Sequence, residues 1–282
     1  MSDMNLTVVE TDKMQNYLVV KDNQLIKKSF YEYNVMEQRL IACAISTLDS
    51  TKGIDVNDDK LVRGEFGLDV FCELCGLERR SVISYLMKCL ENLKSKCGWC
   101  KNPDGSIELM SWISDAKIEP ENNKVIVWFS LSVKPYLLNL EADFTEYKLP
   151  MVLRFKCKYS NMIFDLIYAE YRKNSFVVGD TRKMSSGNLQ MSVDDMRVRL
   201  RTKKKNGATT HNDMTFKDIR VFVLEPVIKD INEFTDIMVD VEYLKRGRKV
   251  ETIVFQYRPK TKDELENVPL FRGKKFEDFV IC

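Results

Sequence analysis

Apolar residues in the first part of the chain recur at the three- and four-residue spacing of amphipathic helices. The first of these helices is predicted to begin at a capping box, in which Asn34 accepts from the Glu37 amide and Glu37 reaches back. The pattern predicts a short strand or extended segment at Tyr17–Lys28 that runs into a first helix, helices Val35–Leu48, Asp69–Gly76 and about Leu77–Lys96, and a polar loop Thr51–Gly64.

The pattern then changes to that of strands. Residues 97–130 contain two turn signals, at 102–105 and 121–123, next to apolar runs at Ile107–Ile113 and Val125–Phe129. A short helix, a glycine turn, a longer helix and then a hairpin is the layout of a winged helix.

The second half of the chain repeats this layout. Pro226 lies inside its third predicted helix and lacks a backbone N–H, so we expect a kink there. The predicted elements are a long helix at about Met151–Arg172, a loop Lys173–Gln190, a helix Val193–Arg201, a basic loop Lys203–Asn212, a helix from Thr215 to about Asn232 with Phe216, Ile219, Val223 and Val227 in the core, and hairpin strands Ile237–Leu244 and Lys249–Tyr257.

These patterns predict an α+β protein with two tandem winged-helix domains, each a helix-turn-helix with a β-hairpin wing. A length of 282 residues fits two domains of ordinary size. We expect one domain at 1–150, a second at 151–259, and a C-terminal tail at 260–282.

Composition argues against most enzyme classes. The chain has a single histidine, His211, which we place in an exposed loop, and this removes His-rich metal sites and histidine-based nucleophile systems. It contains neither a phosphate-binding P-loop nor a dinucleotide-binding glycine motif, so we expect no enzymatic activity and no cofactor.

The apolar runs are too short for a membrane span, and the start is unlike a signal peptide. We therefore expect a cytoplasmic protein with reduced thiols.

Charge is distributed unevenly along the chain. Residues 1–150 carry 18 Lys+Arg and 23 Asp+Glu, a net charge of −5, whereas residues 151–282 carry 26 and 19, a net charge of +7. This asymmetry indicates a first half that contacts protein and a second half that contacts a polyanion. The alternative is ordinary variation of charge along a chain.

Two basic segments of the second half are candidates for contacts with double-stranded DNA. Six cations in nine residues beside the third helix, and four cations in five residues at the hairpin tip, are positioned to neutralise phosphates. On the helix itself, Lys217 and Arg220 lie near the N-terminal end that usually meets base edges, and Arg220 is a candidate reader of guanine. The alternative for each segment is a solvated surface. The candidate residues are Arg197, Arg199, Arg201, Lys203, Lys204, Lys205, Lys217, Arg220, Lys245, Arg246, Arg248 and Lys249.

Two cysteine pairs, Cys72/Cys75 and Cys97/Cys100, have a spacing that is close to that of zinc ribbons. The segment between them is predicted as a helix of about 18 residues, roughly 27 Å long, which would separate the pairs. A tetrahedral site needs four sulfurs about 2.3 Å from one metal, so we expect no metal. A zinc or thiol-redox protein remains the alternative of a different class.

Three segments resemble the plasmid replication initiators that are built from two winged-helix domains. They are Val20–Ile26 followed by Glu37–Leu40, Tyr136–Leu140 through Phe144–Tyr147, and Phe222–Asn232 ending in Thr235-Asp236. The resemblance covers about residues 17–258. It implies a non-enzymatic initiator that binds repeated origin sequences (iterons) through its second domain and recruits the host initiator and replicative helicase machinery. It also implies a homodimer, formed largely by the first domain, in equilibrium with monomer, and repression of the initiator's own promoter. A transcriptional repressor is the alternative within the same class.

Overall fold

The computed structural model describes residues 17–28, 33–49, 59–102, 104–174, 176–178, 181–200 and 214–269. They form two compact units that divide between Arg154 and Phe155. The sequence placed the division slightly earlier, after residue 150. The helix at Leu149–Leu153 therefore belongs to the first unit.

The described residues of the first unit form five α-helices, two of them short, and seven strands. The elements are β1 (Leu18–Asp22), α1 (Asn23–Lys28), α2 (Val35–Ser46), β2 (Arg63–Gly67), α3 (Leu68–Cys75), α4 (Arg79–Ser95), β3 (Cys97–Lys101), β4 (Ile107–Ser111), β5 (Ile113–Glu119), β6 (Lys124–Phe129), a 3-10 turn (Lys134–Tyr136), β7 (Phe144–Lys148) and α5 (Leu149–Leu153). The strands form a three-stranded antiparallel sheet of order β2-β6-β5 and two further pairs, β1-β7 and β3-β4. The core is lined by the buried faces of the helices and by the buried residues of β6.

The predicted helix boundaries of this unit follow from local chemistry. The Asn34 side chain accepts from the Glu37 N–H at 2.9 Å, and Glu37 Oε2 accepts from the Asn34 N–H at 2.9 Å, so the predicted capping box starts α2. Gly76 ends α3 in the left-handed region, at φ 66°, where a residue without a Cβ is favoured. The turn it makes leads directly into α4.

Two predictions for the first unit need correction. The predicted loop Thr51–Gly64 ends two residues too late, because β2 begins at Arg63 and pairs with β6; residues 51–58 of this loop lie outside the described residues. The predicted strand Ile107–Ile113 is two strands in different sheets: β4 pairs with β3, and β5 pairs with β6 after an interruption at Trp112. The pair β3–β4 is thus an extra hairpin, inserted between α4 and the wing strands β5 and β6.

The second unit has the same plan. The elements are α6 (Ser160–Lys173), β8 (Phe176–Val178), β9 (Thr181–Lys183), β10 (Gly187–Ser192), α7 (Val193–Leu200), α8 (Phe216–Ile219), a π-helical turn (Arg220–Leu224), α9 (Glu225–Phe234), β11 (Ile237–Arg246), β12 (Lys249–Pro259) and α10 (Lys262–Glu266). The three-stranded sheet has the order β10-β12-β11. In this order the first of the three strands in the chain pairs with the last, as in β2-β6-β5. We call α8, the π turn and α9 together the composite helix.

The long helix predicted at Met151–Arg172 is interrupted. The Asp230 carboxylate, on α9, is buried and accepts from the N–H groups of Lys156 and Cys157, both at 2.8 Å, and from the Ser160 hydroxyl at 2.7 Å. These bonds hold non-helical backbone ahead of α6 and supply acceptors at its N-terminus. Only the part from Ser160 onwards continues as the helix of the second unit.

The predicted loop Lys173–Gln190 also contains strands. In β10 the exposed residues Asn188 and Gln190 alternate with Leu189, which is half-buried, and Met191, which is buried. This period of two is typical of a strand with one face on a core, and β10 pairs with β12 along its whole length. The predicted short helix after it is confirmed, with the Ser192 hydroxyl accepting from the Asp195 N–H at 2.9 Å.

We predict that Gly64→Ala destabilises the first unit, because a Cβ at this position would lie 2.2 Å from the Ala44 carbonyl oxygen. The backbone of α2 or β2 has to move, at a cost of about 1–3 kcal/mol. All three tryptophans lie in this unit, so the midpoint of urea unfolding followed by tryptophan fluorescence should fall. Gly76→Asn is the control: it faces open space at a φ that asparagine tolerates. An unchanged midpoint for Gly64→Ala would contradict the close approach.

We predict that Asp230→Ala destabilises the second unit by roughly 2–4 kcal/mol, since it leaves two N–H groups and a hydroxyl without their acceptor. Asp230→Asn, which keeps one side-chain oxygen, should lose less. The readout is the urea midpoint of far-UV circular dichroism, with the tryptophan signal of the first unit as an internal reference. Equal midpoints for Asp230→Ala and the parent chain would exclude the proposed role of this carboxylate.

Candidate nucleic-acid interface

The composite helix begins at a capping box. Thr215 Oγ1 accepts from the Asp218 N–H at 3.2 Å, and Asp218 Oδ2 accepts from the Thr215 N–H at 3.0 Å and from its hydroxyl at 2.7 Å. These hydrogen bonds lower the pKa of Asp218 below its ordinary value. The predicted start of this helix at Thr215 is therefore confirmed, with Thr215 as its N-cap, and Asp218 stays ionised at the start of the helix.

Pro226 affects the helix through the π-helical turn that precedes it. A proline cannot bond to the carbonyl four residues earlier, and the turn Arg220–Leu224 is closed instead by a bond from the Glu225 N–H to the Arg220 carbonyl, five residues apart. We expected a kink at this proline. The structure shows a local change of helix type in the turn before it.

The π turn decides which side of the helix Arg220 faces. Side chains of an α-helix are about 100° apart, so without the turn Arg220, seven residues before the buried Val227, would point to the core. The extra residue in the turn brings Ile219 into the core, with no exposed surface, and turns Arg220 outward. Its side chain is 49% exposed.

The exposed side chains of the composite helix include cations, an acid and an aromatic ring. Lys217 is exposed, and Arg220 Nε lies 3.6 Å from Glu225 Oε1. Phe222 is also exposed. The predicted core residues Ile219, Val223 and Val227 are fully buried, whereas Phe216, which we also predicted in the core, is only half-buried.

Phe216 instead joins the helix to the wing. Its ring meets the Tyr243 ring of β11 edge-on, with the centroids 5.0 Å apart. Burial raises the pKa of Tyr243, and the nearby Arg220 guanidinium partly offsets this shift. The aromatic pair therefore holds the start of the composite helix against β11, in the half of the strand nearer the hairpin turn. Nothing in the periodicity distinguished this contact from core packing.

The tip of the second hairpin is cationic and exposed. Gly247 turns the chain at φ 62°, and Arg246 pairs with Lys249 across the turn. Lys245, Arg246, Arg248 and Lys249 are all exposed, with Arg246 Nη1 3.5 Å from Glu251. The corresponding wing tip of the first unit, between β5 and β6, has the sequence Glu-Pro-Glu-Asn-Asn-Lys from Glu119 to Lys124.

The arginines of α7 have contacts within the protein. Arg197 Nη1 lies 2.7 Å from Asp194 Oδ1, and its Nε donates to the Met214 carbonyl at 3.2 Å, just before the composite helix. Arg199 is half-buried, and this burial lowers the pKa of its guanidinium. The remaining cations of this segment, Arg201, Lys203, Lys204 and Lys205, lie outside the described residues, as does His211.

The cysteine pairs lie on different kinds of structure. Cys72 and Cys75 are on α3, while Cys97 is exposed and Cys100 is buried on β3, where residues three apart point to opposite faces. Burial raises the pKa of Cys75 to about 12, which disfavours a metal-binding thiolate. Within the described ranges, no three His, Cys, Asp or Glu side chains form a group that could hold a metal ion. The same ranges contain no helix that is long and apolar enough to cross a membrane.

Two units with a helix pair, a wing and the same sheet order define a tandem winged-helix protein of the DNA-binding class. The family model "Initiator Replication protein, WH1" matches residues 18–168, and "Initiator Rep protein, WH2" matches residues 192–257. The chain therefore belongs to the family of initiator replication proteins. The predicted fold class and the resemblance are confirmed.

Two individual proteins are similar to this chain. A replication initiation protein of Escherichia coli is 26% identical over 244 residues, which cover 86% of this chain and 70% of that protein. The crystal structure of the Pi initiator protein in complex with iteron DNA has a TM-score of 0.69 at 17% identity, covering 87% of this chain and 98% of the other. This likeness extends the shared fold over both units.

Proposed function

We propose that the protein initiates replication of a plasmid by binding repeated sequences in double-stranded DNA of the origin. Membership of the initiator family supports this, and the observation that carries it is the cationic surface of the second unit. There an outward-facing helix end, with Lys217 and Arg220, lies beside a wing tip with four exposed cations. This is the arrangement that a helix in the major groove and a wing over the backbone require.

The candidate residues divide into two kinds of contact. Arg201, Lys203, Lys204 and Lys205 and the wing cations Lys245, Arg246, Arg248 and Lys249 bind phosphates and supply affinity without reading sequence. Lys217 and Arg220 meet base edges, with Arg220 leaving Glu225 to bind guanine. Arg197 positions the interface without binding DNA. Its guanidinium bridges Asp194 on α7 and the Met214 carbonyl just before the composite helix.

The protein acts in the cytoplasm by binding and deforming the origin and by recruiting the host initiator and replicative helicase machinery, without catalysing a reaction of its own. The family supports this mode of action. Footprinting on the DNA of its own replicon tests it. Protection of direct repeats is expected; protection of only an inverted repeat at a promoter would identify a transcriptional repressor instead.

We predict that the two kinds of contact respond differently to substitution. Lys203→Ala, Lys204→Ala or Lys205→Ala should weaken repeat and random duplex alike, and each should reduce the magnitude of the log–log salt slope by about 1. Arg220→Ala should cost about 1–3 kcal/mol on the repeat and relax preference at one base pair, because a guanine contact is lost. The measurement is fluorescence anisotropy at one stated salt concentration. If Arg220→Ala weakens both duplexes by the same factor, Arg220 is a phosphate contact.

We also infer that the first unit forms the homodimer, which is in equilibrium with monomer. Three large aromatic residues of this unit do not carry this inference, because Trp112 and Phe129 are buried in the unit and Trp128 is half-buried. The extra hairpin β3–β4 does carry it. Trp99 and Ile107 are each 66% exposed and Leu109 is 48% exposed, and Trp99 and Leu109 are paired across the hairpin.

We predict that Trp99→Ser together with Leu109→Lys shifts the full-length protein from dimer to monomer, since the exposed apolar face of the hairpin is lost. Sedimentation velocity at micromolar concentration measures this. Met87→Lys, at a 52% exposed position of α4 in the same unit, is the control and should leave the dimer intact. A dimer that persists in the hairpin variant would place the interface elsewhere.

A further inference from the structure

Tyr243 lies where the composite helix meets the wing of the second unit. It belongs to β11 and is half-buried, and its ring meets the Phe216 ring edge-on, with the centroids 5.0 Å apart. The pairing of β11 with β12 becomes irregular between Leu244 and Lys245, so Tyr243 is near the end of the regular strand, just before the cationic wing tip. The ring contact thus joins the start of the composite helix to the strand that carries this tip.

Arg220 lies on the same side of the composite helix as Phe216. The Arg220 N–H donates to the Phe216 carbonyl, so the two residues are one helical turn apart and their side chains are neighbours on the helix surface. Because Phe216 contacts β11, the Arg220 side chain also lies toward this strand. Its charge reaches Tyr243, where it partly offsets the rise in the pKa of the hydroxyl that burial causes. The candidate reader of guanine is therefore a neighbour of the aromatic pair.

A carboxylate also lies beside the Arg220 guanidinium. The Glu225 N–H donates to the Arg220 carbonyl across the π turn, and Glu225 Oε1 lies 3.6 Å from Arg220 Nε. Both side chains are about half exposed, and exposed ion pairs are weak because water screens them. Firm support for Arg220 has to come from side chains that are themselves held by packing, and the Phe216–Tyr243 pair is of this kind.

We propose that Tyr243 is a positioning residue: through its ring contact with Phe216 it holds the start of the composite helix at the angle at which Arg220 reaches a base edge. A guanine contact needs two hydrogen bonds in fixed directions, whereas phosphate contacts depend mainly on charge. Loss of Tyr243 therefore weakens the reading of the repeat more than it weakens the binding of DNA in general. The inference rests on the DNA-binding function proposed above.

The test compares the binding of the full-length protein to the repeat found by footprinting and to a random duplex, by fluorescence anisotropy at one stated salt concentration. The specificity ratio is the affinity for the repeat divided by the affinity for the random duplex. Tyr243→Ala should lower this ratio about three- to tenfold, which is the range expected for one edge-on aromatic contact. The salt slope should stay unchanged, because no cation is removed.

Three further variants separate the ring contact from other roles of the tyrosine. Tyr243→Phe keeps the ring and should keep the specificity ratio. Phe216→Ala breaks the same contact and should lower the ratio as Tyr243→Ala does. In an Arg220→Ala background, Tyr243→Ala should cause no further fall, because the guanidinium that the ring contact positions is absent.

Leu244→Ala is the matched control. Leu244 follows Tyr243 on β11, is 42% exposed, and points to the opposite face of the strand. Its loss should leave the specificity ratio unchanged. Circular dichroism checks that each variant is folded. If Tyr243→Ala is unfolded, Tyr243→Leu, which keeps an apolar side chain at this position, replaces it with the same expected direction of change.

Four results would overturn the proposal. They are an unchanged specificity ratio in Tyr243→Ala, an equal fall in Leu244→Ala, the same fall with and without Arg220, and a fall in Tyr243→Phe as large as that in Tyr243→Ala, which would assign the effect to the hydroxyl. Each of these leaves the proposed function standing, because the parent protein still prefers the repeat. If the parent protein binds the repeat no better than the random duplex, the proposed function and this inference both fail.

Discussion

The buried carboxylate of Asp230 holds the second unit together. It lies on α9 and accepts hydrogen bonds from three donors at the start of α6, so one side chain fixes the two longest helical elements of the unit to each other. A buried charge is stable only when its hydrogen bonds are complete, and here they come from a segment that has to stay non-helical. The orientation of the outward face of the composite helix depends on this anchor.

Other residues of the motif that linked the sequence to its family support the same helix. The Asn232 side chain accepts from the Val239 N–H and donates to the Val239 carbonyl, which aligns β11 with α9. Lys260 Nζ donates to the carbonyls of Asn232 and Thr235 at the end of the helix, and burial lowers its pKa to about 8. The motif is thus a framework that positions the interface, and the candidate reading residues Lys217 and Arg220 precede it in the chain.

Sequence patterns were sufficient where a single local interaction decides the structure. The capping box at Asn34 and the helix start at Thr215 are of this kind. Patterns failed where a distant residue decides: Asp230 interrupts the helix expected at 151–172, and pairing with β12 makes a strand of a segment expected to be a loop. At the interface Arg220 is exposed, as the sequence predicted, whereas the π turn that begins at this residue was not predicted.

The tips of the two wings differ in charge. One tip carries four cations, and the other carries Glu119 and Glu121 beside a single lysine. On the function proposed above, a single chain cannot bind equally well in both orientations on its site, because only one of the two wings attracts the DNA backbone strongly. A protein with such polarity matches an asymmetric site, and a row of identical asymmetric sites aligns every bound copy the same way. Head-to-tail repeats, rather than palindromes, are the DNA arrangement that this difference in charge favours.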